Sequence, residues 1–202
     1  MRIKKILCSA LLVSCMVFAM TACGSKKAAQ TGSDAKSGNI TVGFSQVGAE
    51  SDWRTANSTS MKETFSEKNG YTLIFDDAQQ KQENQIKAIR NFIQQEVDYI
   101  VLAPVTETGW DTVLQEAKDA GIPVIIVDRM VDVSDDSLYT AWVGSNFKLE
   151  GQKAMAWLDA YLEAKGRGDE EINLVDIQGT IGASAQIGRT QGFDDAVEAH
   201  DN

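Results

Sequence analysis

Ile122-Pro123-Val124-Ile125-Ile126-Val127 carries no polar side chain in six consecutive positions. A strand wetted on one face alternates polar and apolar residues, so a run that is apolar on both faces predicts a parallel strand covered by helices on either side. Comparable runs stand at Ile40 to Ser45, Tyr71 to Phe75, Tyr99 to Leu102, Leu138 to Val143 and Ile172 to Ile177. Longer amphipathic stretches between them predict helices near 53–68, 82–96, 108–120, 147–164 and 184–199. Ile86, Ile89, Phe92, Ile93 and Val97 recur at helical spacing in the second of these, and Ala154, Trp157, Leu158, Tyr161 and Leu162 in the fourth. Gly70 and Gly121 fall where a helix should stop and a strand begin. Strand–helix units joined by short turns force right-handed crossovers, which predicts an α/β fold with a doubly wound parallel sheet.

The chain has 202 residues, 43% of them apolar and 24% charged, enough for one large domain or two small ones and unlike a disordered or coiled-coil composition. Its formal net charge of −10 repels a phosphate backbone, so no nucleic-acid partner is expected. Arg2, Lys4 and Lys5 precede the uncharged run Ile6 to Met20, which is shorter than the ~20 residues that span a bilayer and reads as a secretion signal. The run ends in Met20-Thr21-Ala22-Cys23-Gly24, which resembles the lipobox of bacterial lipoproteins, with methionine where leucine is usual. The resemblance implies a signal peptide over residues 1–23, a lipid on Cys23, and attachment to the extracytoplasmic face of the cell membrane. Cys8 and Cys15 would leave with the signal, so the folded part would have no thiol for a disulfide, a zinc site or a nucleophile. Residues 24–39 are small and polar and read as a flexible tether.

In a doubly wound sheet, ligands bind outside the carboxyl ends of the strands. That rule selects the loops Gln46 to Arg54, Ala103 to Trp110, Asp128 to Asp132 and Gly144 to Phe147. The first loop lacks the closely spaced glycines of a pyrophosphate cradle, since Gly48 stands alone, so dinucleotide binding is not expected. It offers instead Glu50, Ser51, Trp53 and Arg54 at a helix start. An indole can lie on the C–H face of a pyranose or furanose while charged groups take the hydroxyls. The competing structural interpretation makes Trp53 a packing staple and Arg54 a solvated charge. Asp128-Arg129, directly after the strand 122–127, can present acceptors and a donor fork to vicinal hydroxyls, or can be an ion pair capping the sheet. Arg189, one turn into the helix after Gly179-Thr180-Ile181-Gly182, reads as a further hydroxyl donor or as half of a surface salt bridge.

Val42 to Arg54, Gln79 to Arg90, Ala103-Pro104-Val105, Thr108-Gly109-Trp110 and Ile122 to Arg129 resemble the sugar-binding lipoproteins of bacterial ABC importers, and within them the galactofuranose-binding branch of the ribose and galactose binding-protein superfamily. The resemblance runs from Ile40 to about Ala199. It implies that Glu50, Ser51, Trp53 and Arg54 contact a monosaccharide, that Asp128 and Arg129 hold its hydroxyls, that Ser145 joins them, and that Arg189 reaches across from a second lobe. Asp52 departs from the glycine usual in the family. The implied organisation is a first sugar-binding lobe over residues 40–145 and the start of an incomplete second lobe over residues 146–202, with weak or no sugar binding by these residues alone. The implied partners are the sugar, ABC permease subunits and the membrane through the lipid. A surface sensor working with a chemoreceptor or sensor kinase would use the same lobes.

Gln79 to Arg90 opens a polar helix that either hydrogen-bonds across the lobe or meets a permease, and its spacing does not choose between them. His200 is the only histidine. No nucleophile–base pair is available, and Asp76-Asp77 and Asp135-Asp136 are adjacent on extended chain and so point apart. No catalytic residue, metal or cofactor is expected.

Overall fold

The computed structural model describes residues 38–199. The signal at 1–23 with Cys23, the tether up to residue 37, and His200 lie outside the described residues.

Among the described residues five strands form one sheet: β1 (Ile40–Gln46), β2 (Tyr71–Asp77), β3 (Tyr99–Leu102), β4 (Val124–Asp128) and β5 (Ala141–Gly144). All pair in parallel in the order β2-β1-β3-β4-β5. The chain steps one way from β1 to β2 and the other way from β2 to β3, so the winding reverses between β1 and β3. The connecting helices are α1 (Asp52–Thr64), α2 (Gln82–Gln94) and α3 (Asp111–Asp119). One face of the sheet packs Ile100, Leu102, Val124 and Ile126 under Ile89 and Phe92 of α2 and Val113 and Leu114 of α3. The other packs Val42, Phe44 and Val101 under Met61 and Phe65 at the end of α1 and just beyond it. This two-sided cover is what the unbroken apolar runs require.

After β5, Asn146 caps α4 (Phe147–Ala164) by accepting from the Leu149 N–H at 3.0 Å. α4 packs along α5 (Ser184–Glu198). Small residues set this contact: a Cβ on Gly151 would fall on the Arg189 carbonyl oxygen, one on Gly192 on the Lys148 carbonyl oxygen, and one on Gly188 within 2.8 Å of the Phe147 Cβ. α5 is tied to the sheet at its start, where the buried Ser184 hydroxyl accepts from the Met130 N–H at 2.7 Å and the Glu107 N–H donates to the Gly182 carbonyl at 2.9 Å.

Three expected strands differ. The run 122–127 pairs as a strand from Val124, because Pro123 has no N–H to give and contributes only its carbonyl, which accepts from the Ile100 N–H at 3.0 Å. In the run 138–143, Leu138 belongs to a 3-10 turn over Asp136–Leu138 that buries it, and pairing starts at Ala141. The run Ile172 to Ile177 forms no strand. It pairs with no strand among the described residues, Val175 and Ile177 are 88% and 92% exposed, and β propensity without a neighbour leaves the backbone unpaired.

Gly121 follows the end of α3 at φ +72°, and a Cβ there would meet nothing within 4 Å. Gly121→Ala therefore isolates the backbone cost of the left-handed region. We expect a loss of about 1 kcal/mol, read from the urea midpoint, with an unchanged slope.

Candidate functional site

β1 and β4 deliver their last residues to the same end of the sheet, and α1 begins there. Ser51 caps α1, its hydroxyl accepting from the Arg54 N–H at 3.2 Å, and this first turn points Arg54 back under the loop. The Arg54 side chain is 4% exposed. Its Nη2 meets Asp128 Oδ2 at 2.7 Å, its Nε donates to Glu50 Oε1 at 3.3 Å, and its Nη1 donates to Gln46 Oε1 at 3.4 Å. A guanidinium has five N–H groups, and these contacts account for three of them. Burial at this level is tolerated because two carboxylates and an amide replace the lost water. Arg54 is thus a buried ion-pair partner and not a solvated charge.

Asp128 adopts φ +63° at the end of β4. Aspartate tolerates this left-handed backbone better than most residues. The turn ends the strand's alternation: the Asp128 carboxylate goes to Arg54, while Arg129 Nη1 donates to the Val105 carbonyl at 2.9 Å. The guanidinium partner of Asp128 is therefore Arg54, seventy-four positions earlier, and not its neighbour Arg129. The Trp142 indole N–H donates to the Asp128 carbonyl at 3.2 Å and braces the turn from β5. Burial, and then the charge of Arg54, lower the Arg129 pKa, against the raising effect of Asp128 and Glu50.

These residues surround one hollow of about 380 Å³, lined by Glu50, Ser51, Trp53, Arg54, Asp128, Arg129, Ser145 and Arg189. All eight residues expected to contact a sugar are on its wall, whereas the selected loop Ala103 to Trp110 supplies none of it. Trp53 is 55% exposed, and the Arg54 guanidinium lies 4.8 Å from its ring centroid, so the indole is held by a cation and is not a packing staple. Arg189 donates from Nε to Glu150 Oε2 at 2.8 Å and lies 5.0 Å from the Phe147 ring centroid. It is both half of an exposed salt bridge and part of the wall. Phe147, Glu150 and Ala185 also line the hollow; Phe147 ends a loop the strand-tip rule selected, but none of the three was named as a contact. The signal was available: Asn146 is a helix cap at the tip of a strand, which sends the first turn of α4, with Phe147 and Glu150, to the ligand end.

Glu50, Asp128 and Glu150 face Arg54, Arg129 and Arg189, so the fixed charges of the wall balance. Such a wall suits a neutral ligand with many hydroxyls, which accepts and donates without adding charge. Among the described residues no group of three or more histidine, cysteine or carboxylate side chains could hold a metal ion. A separate hollow of about 110 Å³ against α4, lined by Met155, Leu162, Ile172 and Leu174 among others, holds no guanidinium.

Residues 42–202 match the sequence pattern of the periplasmic binding protein domain. The chain belongs to the periplasmic binding protein family. It is 50% identical over 159 residues to the galactofuranose-binding protein YtfQ of Escherichia coli (strain K12), covering 79% of this chain and 48% of that protein. A crystal structure from Mycobacterium smegmatis in complex with β-D-fucofuranose is 47% identical, with a TM-score of 0.73 over 79% of this chain and 51% of that one. The periplasmic binding protein component of the arabinose ABC transporter from Shewanella sp. ANA-3, bound to α- and β-L-arabinofuranose, is 49% identical, with a TM-score of 0.71 over 79% and 51%. The chain thus spans about half the length of the relatives it matches. Its fold is the α/β fold of this family, its relatives are solute-binding proteins and not enzymes, and family membership implies an extracytoplasmic location.

Proposed function

We propose that this chain belongs to the substrate-binding component of a bacterial sugar ABC importer, that it takes a neutral monosaccharide in its furanose form, galactofuranose foremost, and that it hands the sugar to permease subunits. The observation that carries this is the charge-balanced hollow at the strand tips, where an exposed indole lies beside the Arg54–Asp128 pair. The names of three relatives, for galactofuranose, fucofuranose and arabinofuranose, support the five-membered ring. In this proposal Glu50, Ser51, Trp53, Arg54, Asp128, Arg129, Ser145 and Arg189 contact the sugar. The unit of residues 40–145 is the first lobe, and α4 and α5 belong to the second.

The test is calorimetry of the full-length protein against D-galactose, L-arabinose and D-ribose, followed by carbon NMR of the bound 13C-labelled sugar. Binding with furanose ring-carbon shifts is expected. A bound pyranose overturns the ring assignment, and no binding of any of the three overturns the proposal. Trp53→Ala should weaken the bound sugar about tenfold, through loss of the apolar stacking face, with an unchanged melting temperature. Cys23 would carry the lipid, in which case Cys23→Ser moves the protein from the membrane fraction to the soluble one.

A further inference from the structure

Gln85 sits on the apolar side of α2 with Ala88, Ile89 and Phe92, and it is fully buried. An amide placed in a core costs free energy unless each of its polar atoms is matched. Here Nε2 donates to the Ala103 carbonyl at 2.7 Å and to the Ser45 carbonyl at 3.4 Å, and Oε1 accepts from the Val105 N–H at 2.9 Å. One side chain therefore ties the end of β1 to the chain leaving β3, where the sheet reverses its winding. The Val105 backbone is held on both sides of its Cα: its N–H by Gln85, and its carbonyl, in the next peptide group, by the Arg129 guanidinium at 2.9 Å. One turn earlier, Gln82 accepts from the Thr106 hydroxyl at 2.9 Å and donates to the Thr108 carbonyl at 2.7 Å, bracing the same loop.

We propose that Gln85, assisted by Gln82, is a positioning residue for ligand binding: through the Val105 backbone it fixes the Arg129 guanidinium on the wall of the hollow. Neither glutamine lines the hollow, so each acts through Arg129. The affinity arm of this inference rests on the sugar-binding proposal, and the spectroscopic arm does not.

The experiment uses 15N-labelled protein, with the Arg129 guanidinium N–H signals identified by their loss in Arg129→Lys. Gln85→Met should collapse those signals towards the position of free arginine and leave the Arg54 signals in place. It should also weaken D-galactose about tenfold in the wild-type background and less than about twofold in Arg129→Ala, since a residue acting through Arg129 loses its effect when Arg129 is gone. Gln82→Ala, at a half-buried position that spares the core, should shift the same signals and weaken D-galactose about threefold, so the inference stands or falls even if Gln85→Met does not fold. Unmoved Arg129 signals in the folded variants, or equal losses of affinity in both backgrounds, would overturn it. If no sugar binds, only the functional proposal fails, and the guanidinium signals still decide the positioning role.

Discussion

Arg54→Met should abolish sugar binding, weakening it by at least about 100-fold, because it deletes the group at which three parts of the site meet. Asp128 Oδ2, Glu50 Oε1 and Gln46 Oε1 all converge on this guanidinium. Truncating one member of a buried, hydrogen-bonded charge pair costs about 2–5 kcal/mol, much of it from the charge left without a partner. The Asp128 and Glu50 carboxylates would then lose the guanidinium they share. Arg54→Lys keeps the charge but loses the fork that serves three acceptors in different directions, so it should recover less than a tenth of the lost affinity. Calorimetry with each variant, beside its thermal melt, separates binding from folding. Arg54→Lys with near wild-type affinity would show that charge alone is needed and that the three-point geometry is not.

The second large effect is structural. Gly151→Ala should destabilise the protein by about 3 kcal/mol, near the top of the range for overpacking, because the new Cβ would meet backbone and not a side chain that can swing aside. The atoms in its way are the Arg189 carbonyl oxygen and the Phe193 nitrogen, and neither moves without α5 moving. The same substitution displaces Arg189 from the hollow, so affinity should fall together with the melting temperature. Gly166→Ala, a helix-end glycine with nothing within 4 Å of a new Cβ, is the control that should cost only its backbone strain. An unaltered melt for Gly151→Ala would mean that the two helices are not held as close as described.

The order of strands and helices was legible because both periods are clean. Ile122 to Val127 has no polar alternation, and the α2 stretch places Ile86, Ile89, Phe92 and Ile93 on one stripe. The strand-tip rule then brought Glu50, Asp128 and Ser145 towards one place without any knowledge of distances. Which charge pairs with which was not legible. Neighbours in sequence suggest Asp128 with Arg129, whereas the left-handed backbone at Asp128 redirects its carboxylate to α1, and no composition or period announces that turn. Ile172 to Ile177 failed for a related reason: a strand is a property of two segments, and β-branched residues report on only one of them. Gln85 was hidden by its own position, since a polar residue on an apolar stripe looks like a helix edge until its three partners are located.

The equal numbers of acids and guanidiniums on the wall have a consequence for how the ligand arrives. Opposite charges a few ångströms apart cancel within the Debye length of about 8 Å at physiological ionic strength, so the six wall charges add little to the field of a chain whose net charge is −10. An uncharged sugar has no net charge for any fixed charge to pull on, so in the sugar-binding proposal added salt should leave its association rate unchanged. Selection in that proposal happens on contact, where a molecule carrying its own charge would upset the balance it enters.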